Sequence, residues 1–414
     1  MLSVDQAEAL ILSIVQPFDP ACDREQVPLR DARERVLAQV VTSALDFPHW
    51  DNSAMDGYAV RFADVESAKA EQPVTLTVIE TIPAGYQLQK PVQTGQAARI
   101  FTGSVMPDGA DTIVIQEETQ RQDDQVLICK APAARAFVRP RAAFYCAGAP
   151  LLPLGTQIRA AELAVLAAAQ CAQVQVYRRP KVAILSTGNE LVAIDQPLQP
   201  GQIVDSNAYA LAALVAQLGA ESICLGIVPD EPEALRTAIA QAVLQADIVL
   251  SSGGVSVGEY DYVDEILRTL GANIHIRAVA IKPGKPLTFA TLPAQGRPHP
   301  TLFFGLPGNP ASVMVTFWRF VQPALRKLSG LPEPWSLPVV LATTQQELRS
   351  DGKRETYLWG QLHLVEGRYA FQPAGGSQNS GNLINLAGAN GLAKLAIGQA
   401  QVSVGELVPV VKIG

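Results

Sequence analysis

The chain has 414 residues, too many for a single hydrophobic core, which points to two to four domains. Its residues are 48% apolar and only 17% charged, the composition of a folded chain rather than a disordered tail. A net charge of −7 leaves no overall basic field to recruit nucleic acid, so no nucleic-acid partner is expected.

The opening run MLSVDQAEALILSIVQ carries acids and no basic segment, unlike a signal peptide. Residues 3–16 have helical apolar spacing, with Ser3 as N-cap. VPLRDARERVLAQVV then reads as a strand leading into a short helix. From about Asp46 to Cys146 the texture changes to short β-rich runs (PVTLTVIE, AARIFTG, DTIVIQEE, QVLICK) broken by Gly, Pro and Asp-Gly. Helical pattern returns in RAAELAVLAAAQ, residues 159–170. If that segment packs beside the first helix, one domain is discontinuous and the β-rich domain is inserted into it.

From Arg178 the chain alternates regularly between apolar strands and helices. KVAILS, SICLGIV, DIVLSS and TLFFGL read as strands, and NAYALAALVAQLG, DEPEALRTAIAQAVLQA (with a cap-box pair, Asp230 and Glu233), VDEILRTLG and ASVMVTFWRFVQPALRKL as helices. Such alternation predicts an α/β domain with a mostly parallel sheet wrapped by helices. After SGLPEPW the chain returns to short strands and turns. The expected domains are therefore 1–46 with 147–177 (discontinuous), 47–146 (β-rich, inserted), 178–330 (α/β) and 331–414 (small, β). No apolar run reaches membrane-spanning length. The five cysteines form no CxxC pair and have no His at metal spacing, so they read as small buried hydrophobes. A cytoplasmic protein with no membrane association is expected.

Ligands of open α/β sheets bind outside the carboxyl ends of the strands. The informative stretches fall there: Thr187-Gly188-Asn189-Glu190, Pro229-Asp230-Glu231, Gly253-Gly254-Val255-Ser256, Lys282 and Lys285 on a Pro-Gly turn, and Pro307-Gly308-Asn309-Pro310-Ala311-Ser312. Each alone has a plain alternative. Thr187-Gly188, Gly253-Gly254 and the Pro-Gly-Asn-Pro run could be turns, Asp230 a helix N-cap, and the lysines solvated charge. Taken together they suggest a phosphate held by backbone N–H groups near Gly253-Gly254. The lysines would hold a second oxyanion, with neutral donors from Asn309 and Ser312. The acids Glu190, Asp230, Glu259 and Asp261 do not suit a bare anion; they suit one that arrives with a divalent metal. The insert adds Asp51, Asn52, Ser53, Asp56 and Thr102, and the C-terminal region adds Lys353-Arg354 and the Gly375–Gly381 loop.

Together, DNSAMDGYAV, FTGSVMPDGADTIVIQEE, STGNEL, GQIVDSN, SSGGVSVGEYDYV, KPGKPLTFA and GLPGNPASVMVTF resemble the MoeA family of molybdopterin molybdenumtransferases, related to the E domain of gephyrin and of its plant counterpart. These motifs span residues 46 to about 330; the chain ends match by pattern only. The resemblance implies a MogA/MoeA-like molybdopterin-binding α/β domain, a C-terminal β-barrel-like domain and a homodimer formed through the discontinuous domain. It implies adenylylated molybdopterin and molybdate as substrates, insertion of molybdenum at the dithiolene, release of AMP, and Mg²⁺ or a similar ion. The molybdopterin adenylyltransferase and apo-molybdoenzymes are its implied partners.

Carried onto this chain, the catalytic set is Asp56, Thr102, Glu190, Asp230 and Asp261, with the metal on Glu190, Asp230 and Asp261. Adenylylated molybdopterin falls to Thr187, Gly188, Asp205, Ser206, Asn207, Ser252, Gly253, Gly254, Ser256 and Gly258. Molybdate falls to Lys282, Lys285, Pro286, Ser312, Arg354 and Ser377. One departure stands out: many members follow an Arg-rich run with Gly-Glu-Asp, where this chain has Ala142, Ala143 and Phe144 after Arg139 and Arg141. Two alternatives are molybdopterin adenylylation and a gephyrin-like scaffold. The extra domains and SVGEYDY argue against the first, and the lack of a long disordered linker against the second.

Overall fold

The computed structural model of the protein describes residues 1–86, 90–253, 262–294 and 296–413. They fall into two compact units. One takes residues 1–39, 155–160 and 173–414; the other takes 40–154 and 161–172.

The larger unit is built on a six-stranded sheet in the order Glu221–Val228, Lys181–Thr187, Ile248–Ser252, Thr301–Leu306, Pro286–Leu292, Asn273–Ala278. The first four strands are parallel, and each of the last two runs antiparallel to the one before it. Alternate side chains of the Lys181–Thr187 strand serve opposite faces. Val182 and Ile184 pack with Leu211, Leu214 and Val215 of the Asn207–Gln217 helix. Ala183 and Leu185 pack with Leu235 and Ile239 of the Pro232–Gln245 helix. Burial on both sides is why these strands read as unbroken apolar runs. The two antiparallel strands were not expected, because no helix separates them from each other or from Thr301–Leu306.

Several local readings change. VPLRDARERVLAQVV holds no helix beyond a single 3₁₀ turn at Leu29–Asp31, and Glu34 sits at φ 61°. The Pro232–Gln245 helix is capped by Glu231 with Pro232 in its first turn and no side-chain cap bond, so the Asp230–Glu233 cap box does not form. The last helix is not uniform. Pro310–Thr316 passes into a π segment, Phe317–Val321, before Gln322–Leu328. Pro323 cannot donate to the i−4 carbonyl, and the wider turn ahead of it accommodates that loss.

The first helix, Val4–Ile14, starts with a capping box: the Gln6 N–H donates to Ser3 Oγ (3.2 Å) and the Ser3 N–H to Gln6 Oε1 (3.1 Å). Val4, Ala7 and Ile11 bury one face against the core shared with Phe317–Leu328. Glu8 lies on that same buried face because Arg319 Nη2 donates to it at 2.5 Å. All of the Ala160–Ala168 helix after its first residue falls in the other unit. The stretches that flank the insert meet through strands: Arg24–Pro28 pairs antiparallel with Gln173–Tyr177.

At the amino end of the sheet a charge network locks the strands. Arg178 donates through Nη1 and Nη2 to both Asp247 oxygens (2.8 Å each) and through Nε to Asp23 (2.9 Å). Asp247 also accepts the Lys181 N–H (2.8 Å) and Arg297 Nη1 (3.2 Å). Burial works to raise the Asp247 pKa, but these hydrogen bonds and the Arg178 and Arg297 charges hold it below the ordinary carboxylate value.

Residues 339–412 close a five-stranded barrel: Glu355–Val365, Arg368–Pro373, Val339–Thr344, Leu407–Lys412 and Gly391–Leu395, which pairs back with the first. Along Glu355–Val365, Tyr357 and Trp359 join the main core while Leu358 and Leu362 fill the barrel. A short strand, Ile281–Lys282, adds to its edge beside Glu355–Thr356.

The second unit carries its own six-stranded sheet, ordered Thr112–Ile115, Gly57–Val60, Gln96–Ile100, Val74–Ile82, Gln125–Ile128, Thr119–Gln122. Separate apolar clusters pack on it, one around Tyr58 and Val114 and one around Ala59 and Ile113.

Candidate functional site

Strand order reverses beside Lys181–Thr187: the chain goes next to Glu221–Val228 on one side, then to Ile248–Ser252 on the other. That is a topological switch point, where a crevice opens at the carboxyl edge. The antiparallel strand Pro286–Leu292 starts at the same edge, since Thr288 pairs with Gly305. A cleft of about 1290 Å³ lies there, bounded by the strand ends on one side and the barrel on the other.

The sheet wall of the cleft is polar and acidic. Thr187, Asn189, Glu190, Asp205, Ser206, Asn207, Asp230, Ser252 and Gly253 line it. The Thr187 hydroxyl donates to Asp230 Oδ1, and the Asp230 N–H to Asn189 Oδ1 at 3.3 Å. Asp230 is therefore not a helix cap; its carboxylate turns to the strand end. The Glu190 carboxylate folds back over Gly188. Leu191–Val192 pairs with Ile203–Val204, which brings STGNEL beside GQIVDSN. Asn207 Nδ2 then donates to the Gly308 carbonyl (2.8 Å), and buried Asp205 accepts the Ala208 N–H (3.2 Å). Gly253 has φ +89°, and a Cβ there would stand 2.2 Å from the Thr187 carbonyl oxygen, so only glycine lets the two strand ends come this close. Its N–H reaches the Leu306 carbonyl at 3.3 Å, which takes it out of the expected phosphate cradle.

Basic residues of the cleft come from the KPGK turn and the barrel. Lys282, Lys285, Pro286, Ser312, Arg354 and Ser377 all line it. Gly284, at φ +108°, lies on Thr316, where a Cβ would meet the methyl carbon at 2.5 Å; this seats the turn on the last helix with a lysine on either side. Lys282 Nζ contacts Asp351 Oδ2 at 3.0 Å, and Arg354 Nη1 donates to the Ile281 carbonyl at 3.2 Å. Asn309 donates to Ser380 Oγ (3.1 Å) and the Ala311 N–H to the Ser380 carbonyl (3.0 Å), so a barrel loop takes the donors expected at that helix start.

Asp351 and Arg349 were missed from sequence, whereas Asn379 and Ser380 lie in the Gly375–Gly381 loop already singled out. The available signal was the Asp-Gly turn at Asp351-Gly352, just ahead of Arg354.

Gly254, Ser256, Gly258, Glu259 and Asp261 lie outside the described residues. Among the described residues no group of three His, Cys, Asp or Glu could hold a metal ion. Glu190 and Asp230 nevertheless share the cleft, and carboxylate oxygens are the donor type that Mg²⁺ takes.

Asp56 and Thr102 belong to the other unit. They meet because Gly57 pairs with Ile100, which sets the residues flanking the two strands side by side. Both the Thr102 N–H and its hydroxyl donate to Asp56 Oδ1 at 2.8 Å. These bonds, the backbone one foremost, hold the Asp56 pKa below the ordinary carboxylate value. Nearby, Asp46 accepts the Ala147 N–H (2.8 Å) and Arg141 Nε (2.5 Å), and Asp51 accepts the Arg141 N–H (2.7 Å). Ala142 stands at φ +62°, where the resembled family has glycine, and Phe144 is exposed.

The chain matches three family models: the MoeA N-terminal region (domain I and II) over residues 2–169, a probable molybdopterin binding domain over 183–327, and the MoeA C-terminal region (domain IV) over 342–413. It is 59% identical to the molybdopterin molybdenumtransferase of Nostoc, across 100% of this chain and 94% of that protein. To the molybdopterin molybdenumtransferase of Haemophilus influenzae it is 38% identical, across 82% and 80%. The crystal structure of the molybdopterin biosynthesis moeA protein of Pyrococcus horikoshii superposes with a TM-score of 0.82 at 29% identity, across 100% of both chains.

Proposed function

This chain belongs to the MoeA family, and from that premise and the cleft we propose how it serves molybdenum cofactor biosynthesis as a molybdopterin molybdenumtransferase. One observation carries the reading: a single cleft is lined both by the acids Glu190 and Asp230 and by the cations Lys282, Lys285 and Arg354. A substrate with a phosphate-linked pterin and a separate small oxyanion needs both.

The pterin substrate is adenylylated molybdopterin, lying along Thr187, Ser206, Asn207, Ser252 and Gly253. Molybdate sits at the basic wall, where Lys282 and Lys285 act as point charges and Arg354 offers a planar fork. Thr187 orients Asp230 by bonding Oδ1, which leaves Oδ2 without a described partner. Asp230 and Glu190 would hold Mg²⁺, which when bound supplies positive charge to the phosphate oxygens. The anhydride is then cleaved by water and AMP departs. No helix among the described residues is long and apolar enough to cross a membrane. We place the enzyme in the cytoplasm, receiving its substrate from the molybdopterin adenylyltransferase and passing its product to apo-molybdoenzymes.

The test is conversion in vitro: purified protein, adenylylated molybdopterin, molybdate and Mg²⁺, read by AMP release and activation of an apo-molybdoenzyme. ATP consumption with free molybdopterin would instead mark an adenylyltransferase, and neither activity would leave a scaffold. The homodimer has its own test, in which Asp56 of one copy serves the cleft of the other. Asp56→Ala and Asp230→Ala proteins, each inactive, are mixed and allowed to exchange subunits. Random pairing gives about half mixed dimers with one intact site each, so activity recovers to about a quarter of wild type. A flat result after proven exchange rejects the shared site.

A further inference from the structure

Asp351 lies beside the basic wall of the cleft and faces two of the four cations that line it, Lys282 and Arg354. Its Oδ2 contacts Lys282 Nζ at 3.0 Å and stands 4.0 Å from Arg354 Nη2. Its Oδ1 accepts the Lys353 N–H at 3.0 Å, so a backbone turn holds one carboxylate oxygen while the other faces the cations. Arg354 has a separate hold on the Ile281 carbonyl and does not depend on Asp351 for its place. Lys282 and Asp351 are 43% and 34% exposed, and an ion pair that open to water is too weak to fix a four-carbon side chain. Tethering is therefore a poor account of this acid. Its charge remains, next to the position where an oxyanion would arrive.

We propose that Asp351 is an internal placeholder anion: it occupies the Lys282–Arg354 pair until an oxyanion displaces it, and so sets the affinity for that oxyanion. This rests on the reading of Lys282 and Arg354 as molybdate ligands. An incoming dianion must compete with the carboxylate for Lys282 and stand near its charge. Removing that charge tightens oxyanion binding, the opposite sign from removing a tether. The expected gain is about three- to tenfold, the scale of one partly screened charge contact.

The experiment is calorimetric titration of the full chain with molybdate, and with sulfate in parallel, for wild type, Asp351→Asn, Asp351→Ala and Lys282→Ala. KM for molybdate and kcat in the AMP-release assay are measured beside it. The expected result is weaker molybdate binding for Lys282→Ala, tighter binding of both anions for both Asp351 variants, and a lower KM with no rise in kcat. If Lys282→Ala binds molybdate as wild type does, the molybdate reading fails and the placeholder with it. If Lys282→Ala weakens binding while Asp351→Asn binds no tighter than wild type, the reading stands and the placeholder is overturned. Asp351→Asn keeps the size and the acceptor for the Lys353 N–H, so it decides the question if Asp351→Ala unfolds.

Discussion

At the amino end of the central sheet, Asp247 accepts hydrogen bonds from Arg178, Arg297 and the Lys181 backbone, and Asp23 shares the same Arg178. At the carboxyl end, Asp230 is met by a threonine hydroxyl, and neither it nor Glu190 pairs with a described lysine or arginine. Both ends of this one sheet carry acids, on different strands, yet among the described residues only the amino end pairs them with cations. A paired, buried carboxylate holds strands in place. An acid left without a cation in a cleft is set aside for what enters the cleft. The second unit repeats the contrast: Asp46 is paired by Arg141, while among the described residues the Asp56 carboxylate takes only the two Thr102 donors.

The comparison breaks first at Asp247. Asp247→Asn leaves Arg178 and Arg297 half-satisfied and should cost about 2–4 kcal/mol of stability, measured by urea unfolding. Its pH dependence has a definite sign. The folded protein binds this proton less readily than the unfolded chain, because the Asp247 pKa is lowered. Its contribution is present above the ordinary carboxylate pKa of about 3.9 and is lost as pH falls through the lower folded value. The variant should lose less stability than wild type over that acid range; equal losses would show that Asp247 does not carry the effect.

Lys285 tests the other end. It lines the cleft and has no ion pair among the described residues, so Lys285→Ala should leave the melting temperature unchanged and raise the KM for molybdate roughly tenfold. High molybdate should restore turnover. An unchanged molybdate dependence would remove Lys285 from the site.

The smallest effect concerns strain rather than charge. Ala142 follows Arg141, the partner of Asp46, in a left-handed conformation. Ala142→Gly relieves it and should stabilise the protein by about 0.5–1 kcal/mol, seen as a small rise in melting temperature with activity unchanged. A fall in stability would mean that the turn gains more from the Ala142 methyl than it loses in strain.

Much of this site was legible because each of its parts is local. Thr187, Asp230, Ser252 and Lys285 sit where an apolar run ends or begins, and strand ends converge on one edge whatever the rest of the chain does. Ser3 was legible for the same reason, since its partner Gln6 is three residues away. The pairs that tell scaffold from site are not local: Arg178 and Asp247 are 69 residues apart, as are Lys282 and Asp351. No periodicity announces them. The barrel closure between Glu355–Val365 and Gly391–Leu395 is equally remote, and the Asp230–Glu233 cap box failed because Thr187, distant in sequence, took up the aspartate.

Asp230→Asn tests the central claim most directly, with unfolding and AMP release measured on the same preparation. The substitution keeps the shape and an acceptor for Thr187 but removes a charge that no described lysine or arginine offsets. Stability should stay at the wild-type value while AMP release from adenylylated molybdopterin falls about a hundredfold or more, the scale of losing a positioned acid–base or metal-binding group. A variant that unfolds early, or one that releases AMP at the wild-type rate, would contradict the division of the sheet into a paired scaffold end and an unpaired working end.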